Sequence, residues 1–149
     1  MPYSVELIRF PKYKEPIKLN LGCASYKMEG YIGIDIEDFG HNMVWDVRKG
    51  LPFPDESVED IYSSHFLEHL DDDSSIFLFF EVQRVLKKGC SMKNRLPHVQ
   101  HATAFYAGHK TFWNQEKVAA IMNIPGLEGL KIIVNEKIGA ELFFTLMKK

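Results

Sequence analysis

The sequence predicts an α/β fold built on a mostly parallel sheet, and three observations carry that prediction. Short runs rich in Ile, Leu and Val recur along the chain, bounded by Gly, Pro, Asn and Asp. They alternate with stretches of helical periodicity, of which residues 71–88 are the strongest. The first run, Ile17-Lys-Leu-Asn-Leu21, passes into a small-residue turn at Gly22 and then into a second run, Tyr31-Ile-Gly-Ile-Asp-Ile36, with an acid near its tip. A strand that enters a tight turn brings bare backbone N–H groups close to a ligand, and an acid at the tip of the next strand accepts from a ribose hydroxyl. Residues 17–35 therefore read as a nucleotide-cofactor pattern. It is a weak one in isolation, because the turn has one glycine where dinucleotide fingerprints have three.

The elements follow in order. Residues 1–16, with Pro2, Pro11 and Pro16 among lysines and tyrosines, read as an extended arm on a single domain that spans 1–149. Nine residues separate Leu21 from Tyr31, whereas parallel neighbours usually need a crossover of about a dozen. The expectation is a parallel pair whose crossover helix has shrunk to about one turn. After a loop at 37–42, Met43-Val-Trp45 forms a third strand ending at Asp46, and Val58–Ser63 a fourth after the turn-rich link 51–57. Asp71, Asp72 and Asp73 open a helix that runs to about Lys88. Its acids sit at the positive end of the dipole, Lys87 and Lys88 at the negative end, and Gly89 stops it. Apolar residues at 76, 79, 80, 82, 85 and 86 give it a broad buried face. Cys90–Leu96 reads as a fifth strand closed by Pro97, and 98–112 as loop. Asn114 caps a short helix to Asn123, and Lys131–Asn135 and Glu141–Met147 are strands.

Bulk properties narrow the function classes. A net charge of −2 argues against a general nucleic-acid or anionic-membrane binder, either of which usually needs a basic excess. Two cysteines, Cys23 and Cys90, suggest no disulfide framework and fit a reducing compartment. The N-terminus lacks a basic-then-apolar signal, and no apolar run approaches the ~18 residues of a membrane span. A cytoplasmic location is expected.

Five motifs occur in order: Leu19-Asn-Leu-Gly-Cys23, Gly30-Tyr-Ile-Gly-Ile-Asp35, Asp46-Val-Arg-Lys-Gly-Leu-Pro-Phe-Pro-Asp55, Ser63-Ser-His-Phe-Leu-Glu-His-Leu70 and Glu81-Val-Gln-Arg-Val-Leu-Lys-Lys-Gly89. Together they resemble the class I S-adenosylmethionine-dependent methyltransferases of the group called type 11, over about residues 17–100. The resemblance implies a Rossmann-like methyltransferase fold, with a seven-stranded sheet whose last strand is antiparallel. It implies S-adenosyl-L-methionine as cofactor and S-adenosyl-L-homocysteine as product. By resemblance, Gly22, Cys23 and Ala24 lie under the methionine portion, where a Cβ would obstruct the backbone. Asp35, with Ile36 beside it, accepts from the ribose hydroxyls. Asp46 accepts from the adenine amino group with Val47 beside the ring, and Ser63, Ser64 and His65 close the site around the sulfonium.

The sequence departs from the family in three places. Ala24 stands where the family usually has a third-position glycine, so the turn is expected to seat differently and hold the cofactor more weakly. No counterpart of the family's N-terminal covering helix is expected before residue 17. Cys90–Arg95 replaces a more apolar fifth strand. The site is expected to be open, covered by a homo-oligomeric or other partner, or else inactive. The acceptor is expected to be a small molecule. An inactive module that binds the cofactor, its product or a protein partner is the alternative.

Other residues weigh differently. His98, His101 and His109 are candidate general bases, because histidine titrates near neutral pH. Their x2 and x7 spacing matches no known metal set, and no metal ligand is assigned. Glu68 and His69 read as anchors of their loop rather than as reacting groups. Phe77, Phe79 and Phe80 read as core. Phe105, Tyr106, Phe112 and Trp113 either line an acceptor pocket or pack as core, and Cys23 reads as a small buried residue rather than a nucleophile.

Overall fold

Both faces of the first strand, β1 (Ile17–Leu21), are covered. Ile17, Leu19, Asn20 and Leu21 are all buried, as expected of a central parallel strand. In the computed structural model, which describes residues 13–99 and 108–149, β1 is flanked by β2 (Ile32–Asp35) and β4 (Val58–Ser64). Beyond them lie β3 (Met43–Val44) on one side and β5 (Leu86–Pro97), β7 (Glu141–Lys148) and β6 (Leu130–Ile138) on the other. The seven-stranded order is β3-β2-β1-β4-β5-β7-β6. β1 to β5 pair in parallel, and β7 is antiparallel to both its neighbours. The fold class is the one the sequence implied, a Rossmann-like sheet with its last strand antiparallel.

The described residues contain two α-helices, α1 (Asp72–Val85) and α2 (Gln115–Met122). Asp71 caps α1 by accepting from the Ser74 N–H at 2.7 Å, and Asn114 caps α2 through Lys117 N–H at 2.8 Å. Leu78, Phe79, Val82 and Val85 of α1 are buried against the sheet, where Trp113 stacks on Phe144 and meets Phe79 edge-on. Trp113 is thus core, whereas Phe112 is exposed; Phe105 and Tyr106 lie outside the described residues.

Three local expectations need correction. The segment between β1 and β2 contains turns and no helical turn, yet the two strands are parallel neighbours. Helix α1 stops at Val85, not near Lys88. The Glu56 and Ser57 N–H groups, on the loop before β4, take the carbonyls of Arg84 and Val85 at 3.0 and 2.8 Å, so a tertiary contact ends the helix before Gly89. Lys87 and Lys88 already belong to β5, which begins at Leu86. Phe77 is 42% exposed, on the outer face of α1. Most of the expected N-terminal arm lies outside the described residues.

Candidate functional site

Strand order reverses between β1 and β4, and in open sheets of this kind the crevice beyond the strands' carboxyl ends is where ligands sit. A cavity of ≈ 480 Å³ lies there. It is lined from the ends of β1 (Gly22, Ala24), β2 (Asp35, Ile36, Glu37) and β3 (Trp45, Asp46, Val47, Arg48), and from the segment after β4 (His65, Phe66, His69, Leu70).

The turn after β1 is pinned by the acid that ends β2. The Gly22 N–H donates to Ile34 O at 2.8 Å, and Gly22 has φ +64°. A Cβ there would overlap the Phe66 ring, so Gly22 is required by both its backbone and its neighbour. Ala24 has φ +48°, a left-handed conformation that costs an L-residue about 1–2 kcal/mol. Its N–H donates to Asp35 Oδ2 at 2.9 Å, and Asp35 Oδ1 accepts from the Glu37 N–H at 3.1 Å. The alanine has therefore taken the conformation a glycine adopts freely, held there by Asp35. Cys23 is buried behind the turn, and its Sγ donates to Ala24 O. Burial pushes its thiol up, which makes it a poor nucleophile.

Asp46 caps the short 3-10 turn Val47–Lys49 by accepting from the Arg48 N–H. The Arg48 guanidinium closes on the same carboxylate, with Nε at 2.9 and 3.1 Å from its two oxygens and Nη2 at 2.9 Å from Oδ2. Hydrogen bonding from Arg48 holds the Asp46 carboxyl below the usual carboxylate range. Any adenine amino group must share Asp46 with Arg48. Trp45 is fixed by its indole N–H to Gly50 O at 2.7 Å, beside the apolar Ile36 and Val47.

The opposite edge is rich in imidazole. His65 has φ +54°, and its N–H donates to Arg95 O at 2.7 Å. Its Nε2 is 2.9 Å from Glu141 Oε1 and its Nδ1 3.5 Å from Glu68 Oε2. His69 donates through Nδ1 to Gly108 O at 3.0 Å and meets His109 edge-on.

Of the residues named from sequence, Gly22, Ala24, Asp35, Ile36, Asp46, Val47 and His65 line the cavity together. Ser63 and Ser64 do not: Ser63 is buried in the sheet and donates to Asn94 Oδ1 at 2.7 Å, because the period-two alternation of β4 turns it inward. Cys23 likewise sits outside the lining. His98 is buried against α2, its Nε2 2.9 Å from Gln115 Oε1, and takes no part in the cavity. His101 lies outside the described residues. His109 stands behind His69 rather than in the lining. Trp45, Arg48, Phe66, His69 and Lys110 line the cavity without having been assigned to it. Arg48, Phe66 and His69 lie inside motifs quoted from the sequence and Trp45 directly precedes one; Lys110 follows a loop that carries no periodic signal.

Comparison with known proteins bears on this geometry. Residues 29–92 match the family model described as a methyltransferase domain, which meets the type 11 resemblance read from the motifs. No curated protein sequence matches the chain significantly. Among solved structures, an S-adenosylmethionine-dependent methyltransferase from Archaeoglobus fulgidus is similar at TM-score 0.70 and 19% identity, over 95% of this chain and 89% of that one. A methyltransferase of Haloferax volcanii, solved in complex with its Trm112 activator, has TM-score 0.69 and 14% identity over 96% and 87%. The cyclase SpnF is also similar, at TM-score 0.66 and 13% identity over 97% and 78%. One fold thus serves methyl transfer and a different reaction, and likeness at this level fixes the fold only.

Proposed function

We propose that the chain binds S-adenosylmethionine in the cavity and transfers its methyl group to a small-molecule acceptor, with S-adenosylhomocysteine as the product. One observation carries the reading. Gly22, Asp35 and Asp46, from the ends of three successive strands, converge on one cavity at the point where strand order reverses. Its ≈ 480 Å³ lies within the roughly 300–1,000 Å³ of small-molecule sites.

The residues present fit the cofactor. Asp35 keeps lone pairs for a ribose diol beyond those used by Ala24 and Glu37. Trp45, Ile36 and Val47 supply an apolar edge for a base, and the turn at Gly22 faces the Phe66 ring. When bound, the cofactor supplies an electrophilic methyl on a sulfonium leaving group. The chain then needs to hold the acceptor in line with that methyl and to take a proton where the acceptor carries one. His65 lines the cavity with its ring oriented by Glu141, and it is the imidazole assigned to that proton.

A partner-assisted reading has its own support. Ile36, Phe39 and Val44 are 55%, 42% and 54% exposed around the sheet edge that β3 forms. An apolar edge beside the cavity suits a covering subunit, whether a second copy of this chain or a protein activator like the one bound by the Haloferax relative.

Calorimetric titration with S-adenosylmethionine and S-adenosylhomocysteine tests the reading. Saturable one-to-one binding in the micromolar range is expected. A folded chain that binds neither ligand overturns the reading for the isolated protein and favours the partner-dependent one.

A further inference from the structure

Glu68, on the 3-10 turn Leu67–His69, is a carboxylate only 2% exposed, and neither of its oxygens accepts a hydrogen bond among the described residues. A buried carboxylate in that condition is costly unless a cation offsets it. Among the described residues its ion-pair partners are imidazoles: His65 Nδ1 at 3.5 Å and His109 Nε2 at 4.0 Å. His69 is its neighbour in the chain. One donor atom from each of Glu68, His69 and His109 lies within 4.8 Å of the other two.

Imidazole nitrogen and carboxylate oxygen are a donor set for divalent first-row metals. The His69 Nδ1–H is committed to Gly108 O, which fixes the ring and leaves Nε2 with its lone pair, the arrangement in which backbone carbonyls orient ligating histidines. Bond lengths of about 2.0–2.1 Å to zinc place ligand atoms about 3.3 Å apart in a tetrahedral site. The 4.0 Å between Glu68 Oε2 and His109 Nε2, in a set that spans up to 4.8 Å, means that a bound metal would draw the three donor atoms together.

From this geometry we propose that Glu68, His69 and His109 form a binding site for one divalent transition metal of the zinc type at the edge of the cavity. Three protein ligands leave a coordination position for water or an acceptor oxygen. Because His69 also lines the cavity, that position borders the acceptor's side. This last consequence rests on the methyl-transfer reading; the metal binding does not.

The test uses the full chain, stripped with chelator and free of cofactor, titrated with Zn²⁺ against a chromophoric chelator and with Co²⁺ for its visible bands. One equivalent of Zn²⁺ is expected to bind. His69→Ala and His109→Ala should each weaken it at least about tenfold and abolish the Co²⁺ bands, whereas His41→Ala, on the loop between β2 and β3, should change neither. His69 is exposed, so its variant is expected to fold, and circular dichroism checks this. A folded wild type that shows no saturable Zn²⁺ binding, or binding that both variants retain, overturns the proposal. Since no cofactor is present, failure here leaves the proposed function untouched. Failure to bind S-adenosylmethionine would equally leave a metal result standing.

Discussion

Two largely buried glutamates from the motifs of this chain are treated in opposite ways. Glu81, on α1, has both oxygens engaged. Oε1 accepts from Leu51 N–H at 2.8 Å and from Arg84 Nη2 at 3.0 Å, and Oε2 accepts from Arg84 Nε at 2.9 Å. Arg84 in turn donates to Leu51 O and Phe53 O, both at 2.8 Å, and so clamps the link before β4 to the helix. Glu68, at the cavity edge, is more deeply buried and accepts no hydrogen bond among the described residues. A satisfied buried charge holds parts of the chain in place, while an unsatisfied one is a cost that a bound cation or ligand can remove. The clamp ties the link before β4 to the helix, whereas the cavity edge holds a carboxylate without a hydrogen-bond partner among the described residues.

Variants in the two regions can break or sharpen that contrast. The largest effect is expected from Arg84→Ala, which leaves Glu81 charged and strips two carbonyls of their donor. Urea denaturation should show a loss of about 2–4 kcal/mol, with cofactor affinity unchanged in the folded protein. A large fall in affinity at unchanged stability would erase the distinction.

Asp35→Ala belongs to the cavity side. It should weaken S-adenosylmethionine by roughly 10–100-fold, the worth of one or two charge-assisted hydrogen bonds, while the freed Ala24 and Glu37 N–H groups turn to water. Calorimetry that finds the affinity unchanged would mean the ribose does not lie there.

Glu68→Gln keeps the shape and drops the charge. Burial pushes the Glu68 carboxyl up from its ordinary value, against the opposing pull of its own backbone N–H dipole and of the imidazoles of His69, His65 and His109. A carboxyl raised on folding contributes stability that is complete below its unfolded value of about 4.3 and is lost as pH rises through the folded value. In the presence of chelator the variant should therefore gain stability over wild type at neutral pH. That gain should vanish by about pH 4. Equal stability of the two proteins across that window would show that Glu68 is offset without a metal.

The smallest effect is expected from Ala24→Gly. Relief of the left-handed alanine outweighs the extra flexibility of the unfolded chain by only about 0.5 kcal/mol. Thermal unfolding should register a slight rise, and a fall would show that Asp35 does not hold that turn.

That Gly22, Asp35 and Asp46 line one cavity is legible in the sequence, because each lies at or just past the end of a strand and strand ends are visible as the limit of an apolar run. Ser63 and Ser64 stay out of the cavity lining because facing depends on register. Ser63 pairs with Asn94 of β5, a partner that the sequence of β4 cannot indicate. Arg48 was overlooked at Asp46 for a related reason: two residues apart on a strand they would point the same way without touching, but the tight turn folds one onto the other.

The order and type of the elements were set by the sequence itself, since apolar periodicity, the Asp71 and Asn114 caps and the turn residues act locally. Tertiary structure decided where elements stop and which side chains meet. Helix α1 ends where the loop before β4 takes its last carbonyls. Glu68 and His69 meet His109 because the Lys110 and Thr111 N–H groups bond to Glu68 O at 2.7 and 3.2 Å and hold that short segment against the Leu67–His69 turn. Contacts between residues distant in sequence depend on packing and loop closure, for which no local pattern of residues carries a signal.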